Sequence, residues 1–101
     1  MKVIALVILT IALNTISVYA GDYEDGVGAF FRQDYKAAFD KLEPLAQQGN
    51  DQAQGLIGNM YEKGQGIKQN YMQAFKWYKL SAEQNNSGGQ FFLGQMFATG
   101  E

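Results

Sequence analysis

The sequence predicts an all-α fold, an α/α solenoid of antiparallel helix hairpins with about two repeats and a preceding half-hairpin. Three observations predict it. First, residues 70–101 laid back 36 places fall on residues 34–65 without a gap. Ten of those 32 positions are then identical: Tyr35/Tyr71, Ala38/Ala74, Phe39/Phe75, Ala46/Ala82, Gln48/Gln84, Asn50/Asn86, Gln54/Gln90, Gly58/Gly94, Met60/Met96 and Gly64/Gly100. Ordinary composition would give roughly 5–7% identity per position. Second, the apolar residues inside each copy recur at helical spacing. Third, glycine or asparagine closes the apolar stripes, where a chain turns most cheaply. A fixed period of this size is the mark of stacked repeats.

Residues 1–20 read as a separate object. Lys2 is their one charge, Val3 to Leu13 is an apolar run broken only by Thr10, and Val18-Tyr19-Ala20 puts small residues at −3 and −1 of a cut after Ala20. This is the layout of a secretory signal peptide, so the predicted location is exported, periplasmic or secreted. The alternative is a retained N-terminal membrane anchor, for which the apolar core is short. The predicted organisation is a leader at 1–20 and one repeat domain at 21–101. That domain divides into an N-terminal helix at 21–33, a first repeat at 34–69 and a second repeat at 70–101, which stops early.

Composition removes several function classes. Eight basic and ten acidic residues leave a net charge of −2, and there is neither cysteine nor histidine. No disulfide framework or thiolate metal site can form, and the commonest general base and metal ligand is missing. The scattered charges form no basic stripe, so no nucleic-acid partner is expected. No cofactor is expected. Asp22, Glu24 and Asp25 are too few and too close for a calcium loop and suit a helix N-terminus instead.

In chain order, Tyr23, Val27, Phe30 and Phe31 predict a helix over 22–32, weakened by Gly26 and Gly28. Asp34 caps a second helix to about Gln48 with the stripe Tyr35, Ala38, Phe39, Leu42, Leu45 and Ala46. Pro44 lies inside it and should bend it near residues 40–43. Gly49 terminates it, Asn50 or Asp51 caps a third helix to Gly64, and the short turn implies an antiparallel hairpin. After the loop 64–69, Asn70 caps a helix to about Asn85, and Asn86 or Ser87 caps the last helix to about Thr99. Gly58 and Gly94 sit in mid-helix, where glycine is costly. They predict close helix crossings, filled by Tyr61, Phe97 or the Trp77-Tyr78 pair. Phe39, Tyr61, Phe75, Trp77 and Tyr78 are read as core.

Two motifs carry a resemblance. Ala74-x-x-Trp77-Tyr78-x-x-x-Ala82-Glu83-Gln84 marks the first helix of a unit. Ala53-Gln54-x-x-Ile57-Gly58-x-x-Tyr61-x-x-Gly64-x-Gly66-Ile67 marks the second helix and its loop. The pattern resembles the Sel-one-like repeat, an α/α relative of the tetratricopeptide repeat, over residues 34–101 and more weakly over 22–33. Asn85 stands where such repeats usually carry a turn glycine, and Gly88-Gly89 should loosen the start of the last helix. The resemblance implies a non-enzymatic adaptor of the exported bacterial type, which holds a protein partner and joins envelope complexes. Some secreted members are cysteine-rich, and nothing specific to that branch carries over to a chain without cysteine.

Candidate partner-binding residues are Lys41 and Trp77, which occupy equivalent places on the two first helices, with Phe91, Phe92 and Met96 on the last helix. By repeat logic, Leu56 and Met60 should face forward onto the next unit. Their equivalents Phe92 and Met96 should then lie exposed at the open end and allow weak self-association. The alternatives are a cell-wall-acting hydrolase and a membrane-anchored envelope scaffold. The hydrolase is disfavoured because Ser81 and Ser87, the only serines past the leader, have no base beside them in the sequence.

Overall fold

The computed structural model describes residues 21–100, so the predicted leader lies outside the described residues. Within them the chain is helical throughout, with no strand. Helix α1 covers residues 21–31. It is followed by α2 (Tyr35–Gln47), α3 (Asp51–Lys63), α4 (Tyr71–Glu83) and α5 (Ser87–Thr99). The fold is the expected solenoid: α2 and α3 form one hairpin, α4 and α5 the next, and α1 stands before them.

The helix ends explain the hairpins. Asp34, Asn50, Asn70 and Asn86 each accept a hydrogen bond from the backbone N–H three residues on, which satisfies one orphan donor. Asn50 and Asn86 are therefore the caps, rather than Asp51 and Ser87. At the far end of α2, Asn50 N–H donates to Leu45 O at 3.0 Å and Gly49 N–H to Ala46 O at 3.1 Å. The same pair of bonds recurs one repeat later, from Asn86 to Ser81 O at 3.3 Å and from Asn85 to Ala82 O at 2.9 Å. This Schellman geometry needs a left-handed residue. Gly49 supplies it at φ +99° and Asn85 at φ +65°. Pro44 does not interrupt α2, which runs through it to Gln47.

The longer loop is pinned rather than loose. Gly66, at φ +73°, lies against the start of α2, where an added Cβ would stand 2.6 Å from the Tyr35 carbonyl carbon. Gln69 Nε2 donates to Glu62 O at 2.7 Å, and Asn70 N–H donates to Tyr61 O at 2.8 Å. The loop thereby returns the chain directly from α3 to α4.

Two apolar clusters follow from the stripes. Ala38, Leu42, Leu45, Ala46, Ala53, Ile57 and Met60 of the first hairpin pack with Ala29 of α1 and Trp77 of α4. Ala74, Tyr78 and Met96 form the second, and Tyr61 borders both. Leu42, Ile57, Met60 and Tyr78 are wholly buried. Each such side chain contributes about 1.5–3 kcal/mol of transfer free energy.

Polar groups tie the hairpins together. Gln54, 4% exposed, donates from Nε2 to Ala46 O at 3.0 Å and accepts from Gln84 Nε2 at 2.9 Å. Ser81, fully buried, donates to Asp51 O at 2.8 Å, and Asn86 Nδ2 donates to Asp51 Oδ2 at 3.0 Å. Ser81 is thus occupied in holding α4 to α3, a structural role.

Three expectations need correction. Gly58 is crowded as predicted and Tyr78 is the residue that fills it, but its repeat equivalent Gly94 has nothing within 4 Å. The difference is that α4 covers α3, whereas no described helix covers that face of α5. Gly88-Gly89 has a packing role that the expected loosening leaves out: at Gly89 an added Cβ would lie 2.5 Å from Ser81 Oγ and 2.8 Å from Ala82 N. Phe39, Tyr61 and Phe75 are only half-buried, in edge-on pairs of Phe39 with Tyr61 at 5.8 Å and Phe75 with Phe97 at 5.7 Å.

Candidate interaction groove

Helices α1, α3 and α5 lie side by side along one edge of the stack and enclose a groove of about 490 Å³. Its apolar wall comes from Tyr23, Val27, Phe30 and Phe31 of α1, Leu56 of α3 and Phe92 of α5. Gly55, Gly88 and Gly89 bring the backbones of α3 and α5 to its lining. Gln52, Asn59, Lys63 and Asn86 supply the polar margin.

Helical spacing explains the arrangement. Gln52, Leu56, Asn59 and Lys63 follow one another at four, three and four residues, so they line one face of α3. Ala53, Ile57 and Met60 sit on the neighbouring face, which makes the core. On α1, Val27 and Phe30 pack partly against that core and expose the remainder to the groove. Tyr23 O–H donates to Gln52 Oε1 across the α1–α3 boundary. Its phenol pKa is raised, first by burial and then by the charge of Asp51.

Asn59 is the unusual member. It is 7% exposed overall and borders the groove, where its amide reaches solvent and makes no hydrogen bond to another described residue. Lys63, one turn on, is exposed and unpaired among the described residues, and it is the one charged group on the wall. The two described ion pairs lie elsewhere, between Lys36 and Asp40 and between Lys41 and Asp22.

The predicted partner-binding residues separate. Phe92 is on the groove wall, half-buried and stacked on Tyr78 at 5.2 Å with 16° between the rings. Phe91 is 59% exposed beside it and meets it edge-on at 5.4 Å. Lys41 is exposed and reaches Asp22 of α1 at 3.4 Å. Trp77 is 8% exposed within the core, its Nε1–H has no partner among the described residues, and Lys76 Nζ sits 5.6 Å from its ring.

Met96 is 2% exposed, contrary to the expectation of an open end built from Phe92 and Met96. It packs with Ala74 and Tyr78 inside its own hairpin. The forward face is rotated around the helix from the one predicted: it runs through Gln90, Leu93, Gly94 and Phe97. Sequence reasoning missed Leu56, Asn59 and the α1 residues as groove formers. The polar Asn59 at a buried register was the one signal available.

Among the described residues no cluster of three or more carboxylates could hold a metal ion, and no helix is long and apolar enough to cross a membrane.

Comparison with known proteins agrees with this architecture. Residues 51–86 match the model of the Sel1 repeat family. The structure is similar to the crystal structure of a Sel1 repeat protein from Oxalobacter formigenes, with a TM-score of 0.73 and 34% sequence identity. That similarity covers 78% of this chain and 32% of the other, so the present chain spans about a third of its length. No curated protein matches the sequence.

Proposed function

Because this is a Sel1-like repeat protein, and Sel1 repeats are generally protein–protein interaction modules, we propose that the chain is a non-enzymatic adaptor that holds a protein partner in the groove between α1, α3 and α5. One observation carries the reading: apolar side chains of three helices, Tyr23, Val27, Phe30 and Phe31 of α1, Leu56 of α3 and Phe92 of α5, converge on one groove with a polar margin. Such a wall offers apolar burial for affinity and a few polar groups for orientation. Phe91 and Phe92 contribute contact area at the α5 side. Lys41 is free to contribute only by leaving Asp22. Trp77 and Met96 act from beneath, by holding α4 and α5 in place.

The adaptor works outside the cytoplasm in this reading, after cleavage behind Ala20. The Val18-Tyr19-Ala20 layout supports it. Intact mass of protein recovered from a periplasmic or culture fraction should then begin at Gly21. A mature chain that begins at Met1 and resists an alkaline wash would instead place it as an anchored scaffold.

Site-specific photocrosslinking in cells tests the groove. A photoreactive phenylalanine analogue at Phe31, 77% exposed on the groove wall, should give a discrete adduct. The same analogue at Lys36, whose side chain is 79% exposed and remote from the groove wall, should not. Equal labelling at the two positions, or none at either, removes the groove as the binding surface.

A further inference from the structure

The polar residues on the groove margin are not equally committed. Asn86 is spent at the start of α5, where it accepts from Gly89 N–H at 2.9 Å and donates to Asp51 Oδ2 at 3.0 Å. Gln52 accepts from the Tyr23 phenol. Asn59 and Lys63, one turn apart on the same face of α3, make no hydrogen bond or ion pair to another described residue. Lys63 is the one charged group on the wall, and no carboxylate lies on it.

Taking the groove as the partner site, we infer that its occupant is an extended, acidic peptide segment of another protein, with an apolar side chain near the acid. Charge decides the acid: a lysine with no partner on an apolar wall attracts a carboxylate and disfavours a basic segment. The Asn59 amide decides the backbone. It presents one acceptor and a donor group to the groove, and an extended segment has N–H and C=O groups left to pair with them. A helix has already paired most of its own. Spacing decides the sequence. Leu56 and Lys63 are seven residues apart on α3, about 10 Å of rise, which an extended chain covers in about three residues. The apolar side chain then lies against Leu56, Val27 and Phe92 while the carboxylate reaches Lys63 Nζ. A second copy of this chain does not supply the segment. Its own aromatic-and-acid stretch, residues 22–25, is already helical in α1, with Tyr23 built into the wall.

Random dodecapeptides displayed on phage and panned on the whole chain are the probe. Enriched sequences should place Asp or Glu about two to four positions from an aromatic or branched aliphatic residue. Panning on Lys63→Glu, checked for unchanged helicity, should exchange that acid for Lys or Arg. In fluorescence anisotropy, a labelled enriched peptide should bind the wild type about threefold or more tighter than Lys63→Gln, and the difference should shrink as salt rises. Phe31→Ala, at a position 77% exposed on the wall, should weaken binding to either. Enriched peptides that carry no acid, yet lose affinity on Phe31→Ala, overturn the acidic class and leave the groove as the partner site. Peptides indifferent to both Lys63→Glu and Phe31→Ala bind elsewhere and overturn the inference. Apolar residues recurring at helical spacing in the enriched set mark a helical occupant and overturn it too. So does an absence of enrichment, in which case the photocrosslink at Phe31 still decides the groove by itself. A concentration-dependent dimer that Lys63→Glu disperses assigns the groove to a second copy and likewise overturns it.

Discussion

The ring of Tyr78 occupies the space that a side chain on Gly58 would need: an added Cβ would stand 2.7 Å from both Cδ1 and Cε1 of the ring, and 3.3 Å from Ala74 O. Glycine in mid-helix costs about 1 kcal/mol relative to alanine. At Gly58 that cost is offset by the burial of a whole tyrosine from the next repeat. At Gly94 no described residue makes a contact that offsets the cost.

The two glycines should therefore respond oppositely to substitution. Gly58→Ala must push a packed, fully buried ring, and we expect a loss of about 1–3 kcal/mol, with Gly58→Leu losing more. The 2.7 Å approach of the ring leaves no room for Gly58→Ala to stabilise. Gly94→Ala enters open space and should gain about 0.5–1 kcal/mol from helix propensity. Urea denaturation of the three variants checks the sign at each site. A gain at Gly58→Ala would show that α3 and α4 cross less closely than described.

Gln54 and Gln90 make a second pair of equivalent residues in unequal surroundings. Gln54 is buried and bonded to Ala46 O and Gln84. Gln90 is exposed. Gln54→Ala should cost about 1–2 kcal/mol, and Gln90→Ala should stay within about 0.5 kcal/mol of wild type. A double-mutant cycle of Gln54→Ala with Gln84→Ala should give a coupling of about 0.5–1.5 kcal/mol. Additive effects would mean that the inter-repeat bond contributes nothing measurable.

These pairs show what was legible in the sequence and what was not. The repeat, its hairpins and its caps were readable because local chemistry decides them. Asn50 and Asn86 cap in either copy, and Gly49 and Asn85 turn in either copy. Equivalent residues meet different neighbours in the two units, because α4 covers α3 and no described helix covers α5, and a period cannot report that. The period predicts crowding at Gly94 because it predicts it at Gly58. The period alone places Met96 outward, because it sets the forward face at Leu56 and Met60, a fraction of a turn from Gln54 and Gly58. The groove was illegible for a related reason: it needs α1, α3 and α5 together, and no single stripe contains it.

Alkaline pH should weaken the fold through two tyrosines. The Tyr61 phenol is raised above its ordinary value of 10.0, first by burial and then by the charge of Glu43. Tyr23 is raised above the same value, by burial and then by Asp51. In both cases the fold favours the neutral form. The stability this contributes is present in full below the unfolded value and is lost as pH rises through the raised folded value. Urea midpoints measured from about pH 8 to 11.5 should fall at the upper end. Tyr61→Phe and Tyr23→Phe, which cannot ionise, should each fall less steeply there. Wild type and both variants falling in parallel would place the alkaline transition on other groups.

The turns between paired helices give the last prediction. Gly49 and Asn85 close equivalent Schellman motifs, but their backbones differ, with φ at +99° and +65°. The value at Asn85 lies close to the left-handed helical minimum, where asparagine is the best tolerated of the residues bearing a Cβ. Asn85→Gly should thus be nearly neutral, since relief of residual strain is offset by the greater freedom of glycine in the unfolded chain. Asn85→Ala keeps the Cβ and loses the polar side chain that eases the turn, and should cost about 1 kcal/mol. Gly49 lies further from that minimum, so Gly49→Asn should cost more than 1 kcal/mol, roughly the penalty of a sparsely populated backbone region. Thermal or urea melts of the three variants order the costs. If Gly49→Asn is as harmless as Asn85→Gly, the first turn relaxes to the geometry of the second, and the two hairpins are interchangeable at their closing turns.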